Sequence, residues 1–301
     1  MFAQFPQFAG RGPHLLTPAV TLGFMVLEYL LARSLRAEAR THNLGESAAS
    51  FGVAAGQLLV RGLEAGLFAL PFAFVYRHRL FNFDPTAPAA IVALFLAVEF
   101  AYYWQHRASH RIRWMWATHA VHHSPTRLNL TAAIRLGWTG GLSGNVLFFL
   151  PLVWIGFHPV AIVAMFALNL HYQLFIHTEL APHLGPLEWV LNTPRHHSVH
   201  HASNPSCLDR NYGGVLIVFD RLFGTFAEAP QDEPLRYGLV GGTPTLNPLR
   251  IALGEWLVLV RDVAAARTLR GRLRALFGAP GASAADTRPS PQRPDPRVPA
   301  E

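Results

Sequence analysis

Lysine is absent from this chain: all 25 basic residues are arginine. Charge of either sign is scarce, at 14% of residues against roughly 25% in soluble domains, while hydrophobic residues reach 51%. Such a balance disfavours an ordinary soluble globule and fits a membrane protein. Cysteine is limited to Cys207, which excludes an intramolecular disulfide framework and a cysteine-based zinc site. No internal repeat, HExxH peptidase motif, haem-attachment motif or dinucleotide fingerprint is present. The N-terminus lacks the short charged-then-apolar pattern of a cleaved leader, so its first apolar run is expected to stay in the chain.

Apolar runs are what the sequence has instead. A helix needs about 20 mostly apolar residues to cross the hydrocarbon. Leu16 to Ala32, Phe51 to Tyr76 and Pro88 to Trp104 are candidates, with Arg61 and Glu64 spaced to pair inside the second and Glu99 near the end of the third. Leu142 to Phe175 is long enough for two passes, punctuated at Pro151 and at Gly156 to Pro159, which predicts four to five spans. The net charge of +7 comes from arginines flanking these runs, as membrane anchoring requires, and not from a nucleic-acid footprint. Trp104, Trp114 and Trp116 with Tyr102 and Tyr103 read as an interfacial aromatic belt, and Arg195 and Arg210 as interfacial anchors. Arginine without lysine, amid abundant Ala, Gly and Pro, points to a GC-rich bacterial genome and hence to a bacterial inner membrane.

Near the C-terminus, Leu249, Leu253, Trp256, Leu257, Val260 and Val263 recur at helical spacing, followed by Arg267, Arg270, Arg272 and Arg274. This is either an amphipathic helix on an anionic membrane surface or a packed helix. From Gly281 the composition is that of a disordered tail. The organisation expected is membrane helices over residues 1–87, a catalytic region over 88–237, an amphipathic region over 238–280 and a tail over 281–301. The fold class is all-α: a multi-pass membrane helical bundle with a cytoplasmic histidine-rich helical cap.

Of 16 histidines, nine fall into three tight groups: His106 and His110; His119, His122 and His123; His196, His197, His200 and His201. On a helix the i,i+4 pair of the first group stacks on one face, and the second covers an arc of roughly 100°. Thr193 and Pro194 suit an N-cap and a first helical position, so the third group would occupy roughly 140° of a helix starting there. A buried imidazole without a partner costs about 1–3 kcal/mol, so so many together require a shared partner. Neutral imidazole ligates Zn, Cu, Fe and Ni, and the count exceeds what one ion can use, which predicts two metals. His177, at the end of the long apolar stretch, is a further candidate ligand; His171 lies about 120° off its face. His14, His42, His78, His158 and His183 read as surface or loop residues. Asn129, Asp209, Asn211 and Asp220 could accept the outer N–H of ligating histidines, although Asp and Asn also favour turns and caps.

"HRASH", "HAVHH" and "HHSVHH" reproduce the HxxxH, HxxHH and HHxxHH boxes of the fatty acid hydroxylase/sterol desaturase superfamily. Flanking stretches over roughly Ala90 to Tyr237 look most like its alkylglycerol monooxygenase branch and bacterial sterol-desaturase-like relatives. The resemblance implies an integral membrane enzyme with two non-haem irons that uses dioxygen to hydroxylate or desaturate a lipid. It implies His106, His110, His119, His122, His123, His197, His200 and His201 as ligands, with His196 and His177 completing the set. A sterol, fatty acyl chain or alkylglycerol ether is the implied substrate, and a separate protein or small reductant must deliver electrons. A histidine-ligated zinc hydrolase and a catalytically silent metal-binding relative are the competing readings. Both metal sites require the boxes on one side of the membrane, and the surrounding arginines favour the cytoplasmic side.

Overall fold

The computed structural model describes residues 16–281. The segments 1–15, with His14, and 282–301, with nearly all of the expected tail, lie outside the described residues. Twelve α-helices and no β-strand occur among the described residues: α1 Leu16–Ser34, α2 Glu38–Thr41, α3 Leu44–Arg77, α4 Pro88–Arg111, α5 Arg113–His123, α6 Leu130–Ala133, α7 Leu150–Ile155, α8 Pro159–Ile176, α9 Pro194–His201, α10 Val218–Leu222, α11 Pro248–Ala265 and α12 Leu269–Phe277. Proline opens α4, α8, α9 and α11, where its missing N–H would have had no partner in any case. Side-chain caps complete several starts: Asn43 accepts from Glu46 N, His158 from Val160 N, and Asn247 from Leu249 and Arg250 N.

The course of the chain follows from contacts at two ends of the bundle. α1 reaches the first end, where Glu28 accepts the Leu130 N–H of α6 at 2.8 Å. α3 starts at that end, with the Glu46 carboxylate holding Thr126 through its N–H and hydroxyl. It then runs to the opposite end, where Leu80 and Phe81 donate to the carbonyls of Trp154 and Ile155 at 2.8 and 3.0 Å. α4 returns to the first end, where Trp114 of α5 donates to the Leu142 carbonyl. A 3-10 turn, Asn145–Phe149, and α7 lead back to the opposite end, and α8 comes forward again.

α4 and α8 are the two described helices long and apolar enough to cross a membrane. Residues 142–175 do form a hairpin, but its arms are unequal. Pro151 and the Gly156 cap leave α7 only six residues, and with the preceding 3-10 turn that arm extends about 19 Å. Gly156 has φ 131 and lies against the Phe81 backbone, so no side chain fits at that bend. Leu94, Val98 and Tyr102 of α4 pack with Leu152, Val153 and Ile162 in the core, while Ile91, Val92, Val163 and Leu168 point outward.

Several local expectations change. Glu64 accepts the Gly141 N–H at 2.7 Å; its expected partner, the Arg61 side chain, lies outside the described residues. Tyr102 and Tyr103 are buried, donating to Gln173 and bonded to Thr225, so neither belongs to an interfacial belt; Trp104, Trp114 and Trp116 are half-exposed. The phenols turn inward because each finds a buried hydrogen-bond partner. His42 also turns inward, toward Glu28 at 3.5 Å, whereas His78, His171 and His183 are exposed and His158 caps α8.

Candidate metal centre

The three histidine clusters meet at the first end of the bundle. His106 and His110 occupy the last turns of α4, and after the extended residue Ile112 the chain enters α5 with His119, His122 and His123. α9 starts where its Thr193-Pro194 sequence predicts, although the buried Thr193 hydroxyl makes no capping bond. His177 is the C-cap of α8, its Nδ1 held 2.5 Å from the Gln173 carbonyl.

Nine imidazoles form two groups: His106, His110, His119, His123 and His200 in one; His122, His177, His197 and His201 in the other. Within each group the available nitrogens all lie within 4.8 Å of one another. Helical spacing explains the partition. The i,i+4 pair His119/His123 faces the first group while His122 faces the second, and on α9 the pair His197/His201 faces the second while His200 faces the first. The groups adjoin, with His123 stacked on His201 at 4.4 Å between ring centroids.

His196 departs from expectation: it belongs to neither group. Its ring lies edge-on to Phe226 at 5.3 Å, on the flank of the first turn of α9, with Nδ1 buried and unpartnered. The wide arc read from sequence included this position at its edge, and packing against Phe226 takes it away.

The donor set can be tested for a cation by following the protons. His177 Nδ1 lies against the Gln173 carbonyl and His122 Nδ1 against that of Arg135, at 3.3 Å. A carbonyl only accepts, so both protons sit on Nδ1 and both Nε2 atoms present lone pairs. Those two Nε2 atoms are 3.0 Å apart. Burial removes the alternative of an extra proton: it pushes His122 down to about 4 and His200 to about 3, and holds His119, His123, His177, His197 and His201 well below the usual imidazole range. Two lone pairs at that separation repel unless a cation lies between them. His110 Nε2 and His200 Nε2 are also buried without a protein partner. An all-imidazole donor set of this kind fits a transition metal of the iron-to-zinc series.

Backbone carbonyls orient the rings. His106 Nδ1 meets the Tyr212 carbonyl and His200 Nδ1 that of Arg210, each at 2.8 Å. These carbonyls flank Asn211, whose left-handed φ of 55 turns both toward the first group. Asn211 is fixed by donation to the His196 and Ala227 carbonyls and by acceptance from Ala227 N. Asp220 accepts from Tyr212 N, Gly213 N and the Thr225 hydroxyl, all at 2.7 Å, so it holds the same loop one step further out. Asp209 instead pairs with Arg111 at the surface, and Asn129 caps α6 and donates to the Thr41 carbonyl. None of these four side chains takes a histidine N–H directly; the carbonyls do.

Two polar residues emerge that spacing alone did not single out for the site. Buried Glu99 accepts from Asn169 at 2.5 Å and from the N–H groups of Val215 and Leu216. Asn169 in turn accepts from Gln173, the residue whose carbonyl holds His177. Arg135, also fully buried, donates to Ser50, Ser124 and the Glu46 carbonyl while its own carbonyl faces His122. An acid inside an apolar run was a signal for Glu99; nothing in the sequence marked Arg135. The site is walled by aromatic rings, with Tyr212 5.3 Å from His110 and half-exposed Trp116 at 5.3 and 5.6 Å from His110 and His123.

Comparison with known proteins agrees with this geometry. Residues 91–225 match the fatty acid hydroxylase family model. The chain is 34% identical to the alkylglycerol monooxygenase of Xenopus tropicalis over 262 residues, covering 85% of this chain and 56% of that protein. It is 43% identical to the Homo sapiens alkylglycerol monooxygenase over 175 residues, 58% of this chain and 38% of that protein. Identity to the ornithine lipid hydroxylase OlsE of Rhizobium tropici is 31% over 157 residues, 52% of this chain and 47% of that protein. The chain thus spans about half, or less, of the length of these relatives, and no solved structure matches it. The boxes, their convergence and these similarities agree: residues 91–225 resemble the fatty acid hydroxylase family.

Proposed function

We propose that this chain is a membrane-embedded lipid monooxygenase in which two non-haem irons, one per histidine group, use dioxygen to hydroxylate or desaturate a C–H bond. The observation that carries this reading is the pair of carboxylate-free imidazole groups, in one of which the His122 and His177 lone pairs face each other at 3.0 Å. His106, His110, His119, His123 and His200 would hold one ion; His122, His177, His197 and His201 the other. Bound ferrous ions would supply the redox capacity to activate dioxygen against an unactivated C–H bond. The chain's own contribution is orientation and dryness. Carbonyls of Gln173, Arg135, Arg210 and Tyr212 fix four ring tautomers, and the aromatic wall keeps bulk water off the reacting centre.

Similarity to proteins named alkylglycerol monooxygenase and ornithine lipid hydroxylase supports a lipid substrate, with a sterol, fatty acyl chain or alkylglycerol ether as the classes in view. The outward apolar faces of α4 and α8 support multi-pass embedding with lateral access from the bilayer. Arg33, Arg36, Arg40, Arg107, Arg111, Arg113 and Arg127 gather near the histidine end against Arg77 and Arg79 opposite, which supports a cytoplasmic site, in a bacterial inner membrane. Within this reading residues 88–237 form the catalytic unit, and a separate protein or small reductant supplies electrons.

Elemental analysis of anaerobically purified protein tests the proposal, alongside a His197→Ala, His200→Ala variant. Near two irons per chain, lost in the variant, is expected. Zinc without iron, from cells supplied with iron, would overturn the oxygenase reading in favour of hydrolysis.

A further inference from the structure

α11 carries a row of apolar residues, Leu249, Leu253, Leu257 and Val260, separated by three or four positions along one helix face. Their spacing alone is compatible with burial, but the structure turns them outward: Leu249, Leu257 and Val260 are 59, 56 and 62% exposed. The helix instead buries Ile251, Ala252 and Leu259, and Trp256 donates inward to Thr139. α12 continues the outward apolar surface with Leu269, Leu273 and Phe277.

The charges on this pair of helices are sorted. Its two acids turn toward α5: Asp262 pairs with Arg113 at 2.5 Å, and Glu255 interacts with the same guanidinium. Arg250, Arg261, Arg267, Arg270 and Arg274 form no ion pair with a carboxylate among the described residues. A groove of about 420 Å³ beside α11 is lined by Thr243, Thr245, Arg250, Gly254, Leu257 and Arg261, combining hydroxyls and guanidiniums at its rim with an apolar floor. Guanidinium forks and hydroxyls suit phosphate oxygens, and the floor suits acyl carbons.

We propose that the α11–α12 face lies in the membrane interface and recognises anionic phospholipid, with lipid phosphates at the arginines and acyl chains against the Leu249–Val260 row. Charge complementarity selects this occupant. The outward face is cationic and apolar once Arg113 has taken up Asp262 and drawn Glu255 toward it, the pattern of a helix seated at the headgroup boundary of an anionic leaflet. α11 also packs on the first third of α3, with Gly52 against Pro248, so it lies alongside the bundle at the histidine end.

A polarity-sensitive fluorophore on Leu257→Cys, in a Cys207→Ala background, reports on this surface in nanodiscs. Discs of POPC are compared with discs containing about 30 mol % POPG, an anionic content that attracts basic segments. Blue-shifted emission and quenching by nitroxide-labelled lipid are expected in the POPG discs, with quenching at least halved in POPC and in an Arg267→Gln, Arg270→Gln, Arg274→Gln variant. An iodide-accessible label that lipid does not quench in POPG discs overturns the proposal, as does quenching that ignores both POPG and the arginine changes. A control label on exposed Val163→Cys of α8 separates this failure from failure of the membrane-embedded reading itself, in which case the control is unquenched as well. The readout does not depend on bound metal.

Discussion

Glu99 of α4 and Asn169 of α8 meet at 2.5 Å between two apolar helices, and through them the elements behind the histidines are tied together. One Glu99 oxygen holds Asn169 and the other the N–H groups of Val215 and Leu216. Val215 accepts from Asn192, two residues before α9. A buried acid in such a helix is costly and persists when it is satisfied on every side. Glu99→Ala is expected to destabilise the protein by about 3–5 kcal/mol, because it orphans three donors. Glu99→Gln should cost about 1–3 kcal/mol, since its amide sets a donor against a donor. Thermal unfolding in detergent measures both, and equal stability of Ala and wild type would reject the role.

Asn211 offers a separable test. Asn211→Gly keeps the left-handed backbone and loses the side-chain bonds, whereas Asn211→Ala loses both. The prediction is that Ala is the worse of the two by about 1 kcal/mol or more. Both should lower metal content by loosening the Tyr212 and Arg210 carbonyls that orient His106 and His200. Elemental analysis beside unfolding curves reads this; full metal occupancy in both variants would remove Asn211 from the site.

His177 and His196 give opposite expectations. His177→Ala should abolish binding of one metal, leaving about half the wild-type content, because the four-histidine group has no spare donor. His196→Ala should leave the content unchanged, since its ring stands against Phe226. A loss in His196→Ala as severe as in His177→Ala would reassign the ligand set.

Metal removal and pH act through the same buried rings. Chelation should lower the unfolding temperature, and ligand at about 1,000 times its Kd corresponds to roughly 4 kcal/mol. The metal-free chain should then be acid-sensitive with a defined sign. Burial places His122 at about 4 and His200 at about 3 in the folded protein, below the ordinary value of about 6.5. The unfolded chain therefore takes up protons first. Stability is fully present above pH about 6.5 and is lost as pH falls toward those folded-state values. An unfolding temperature that stays flat from pH 8 to pH 5 contradicts this.

Much of the site was legible because helical periodicity is short-ranged. Spacing alone brings His106 above His110, groups the α5 and α9 histidines, and starts α9 at Pro194. What spacing could not reveal is which neighbour each ring meets. His196 shares the face with His200 in sequence, yet Phe226, thirty residues on, decides its position. The orienting groups were invisible for a related reason: they are carbonyls, which every residue carries, and only the backbone at Asn211 turns two of them inward. The apolar helices α4 and α8 were readable as apolar runs, but the short arm of the 142–175 hairpin depends on the 3-10 turn, Pro151 and Gly156 acting together.

The scattering of the ligand set along the chain has a consequence for biosynthesis. Donors of the first group extend from His106 to His200, and the carbonyl that orients His106 belongs to Tyr212. Neither group is complete until α9 has been made, long after α4 and α5 have left the ribosome. A nascent chain halted before residue 194 would hold only an incomplete set in each group. Metal bound by these two groups would therefore be taken up by the finished polypeptide, and any cellular factor that delivers it would act on that form.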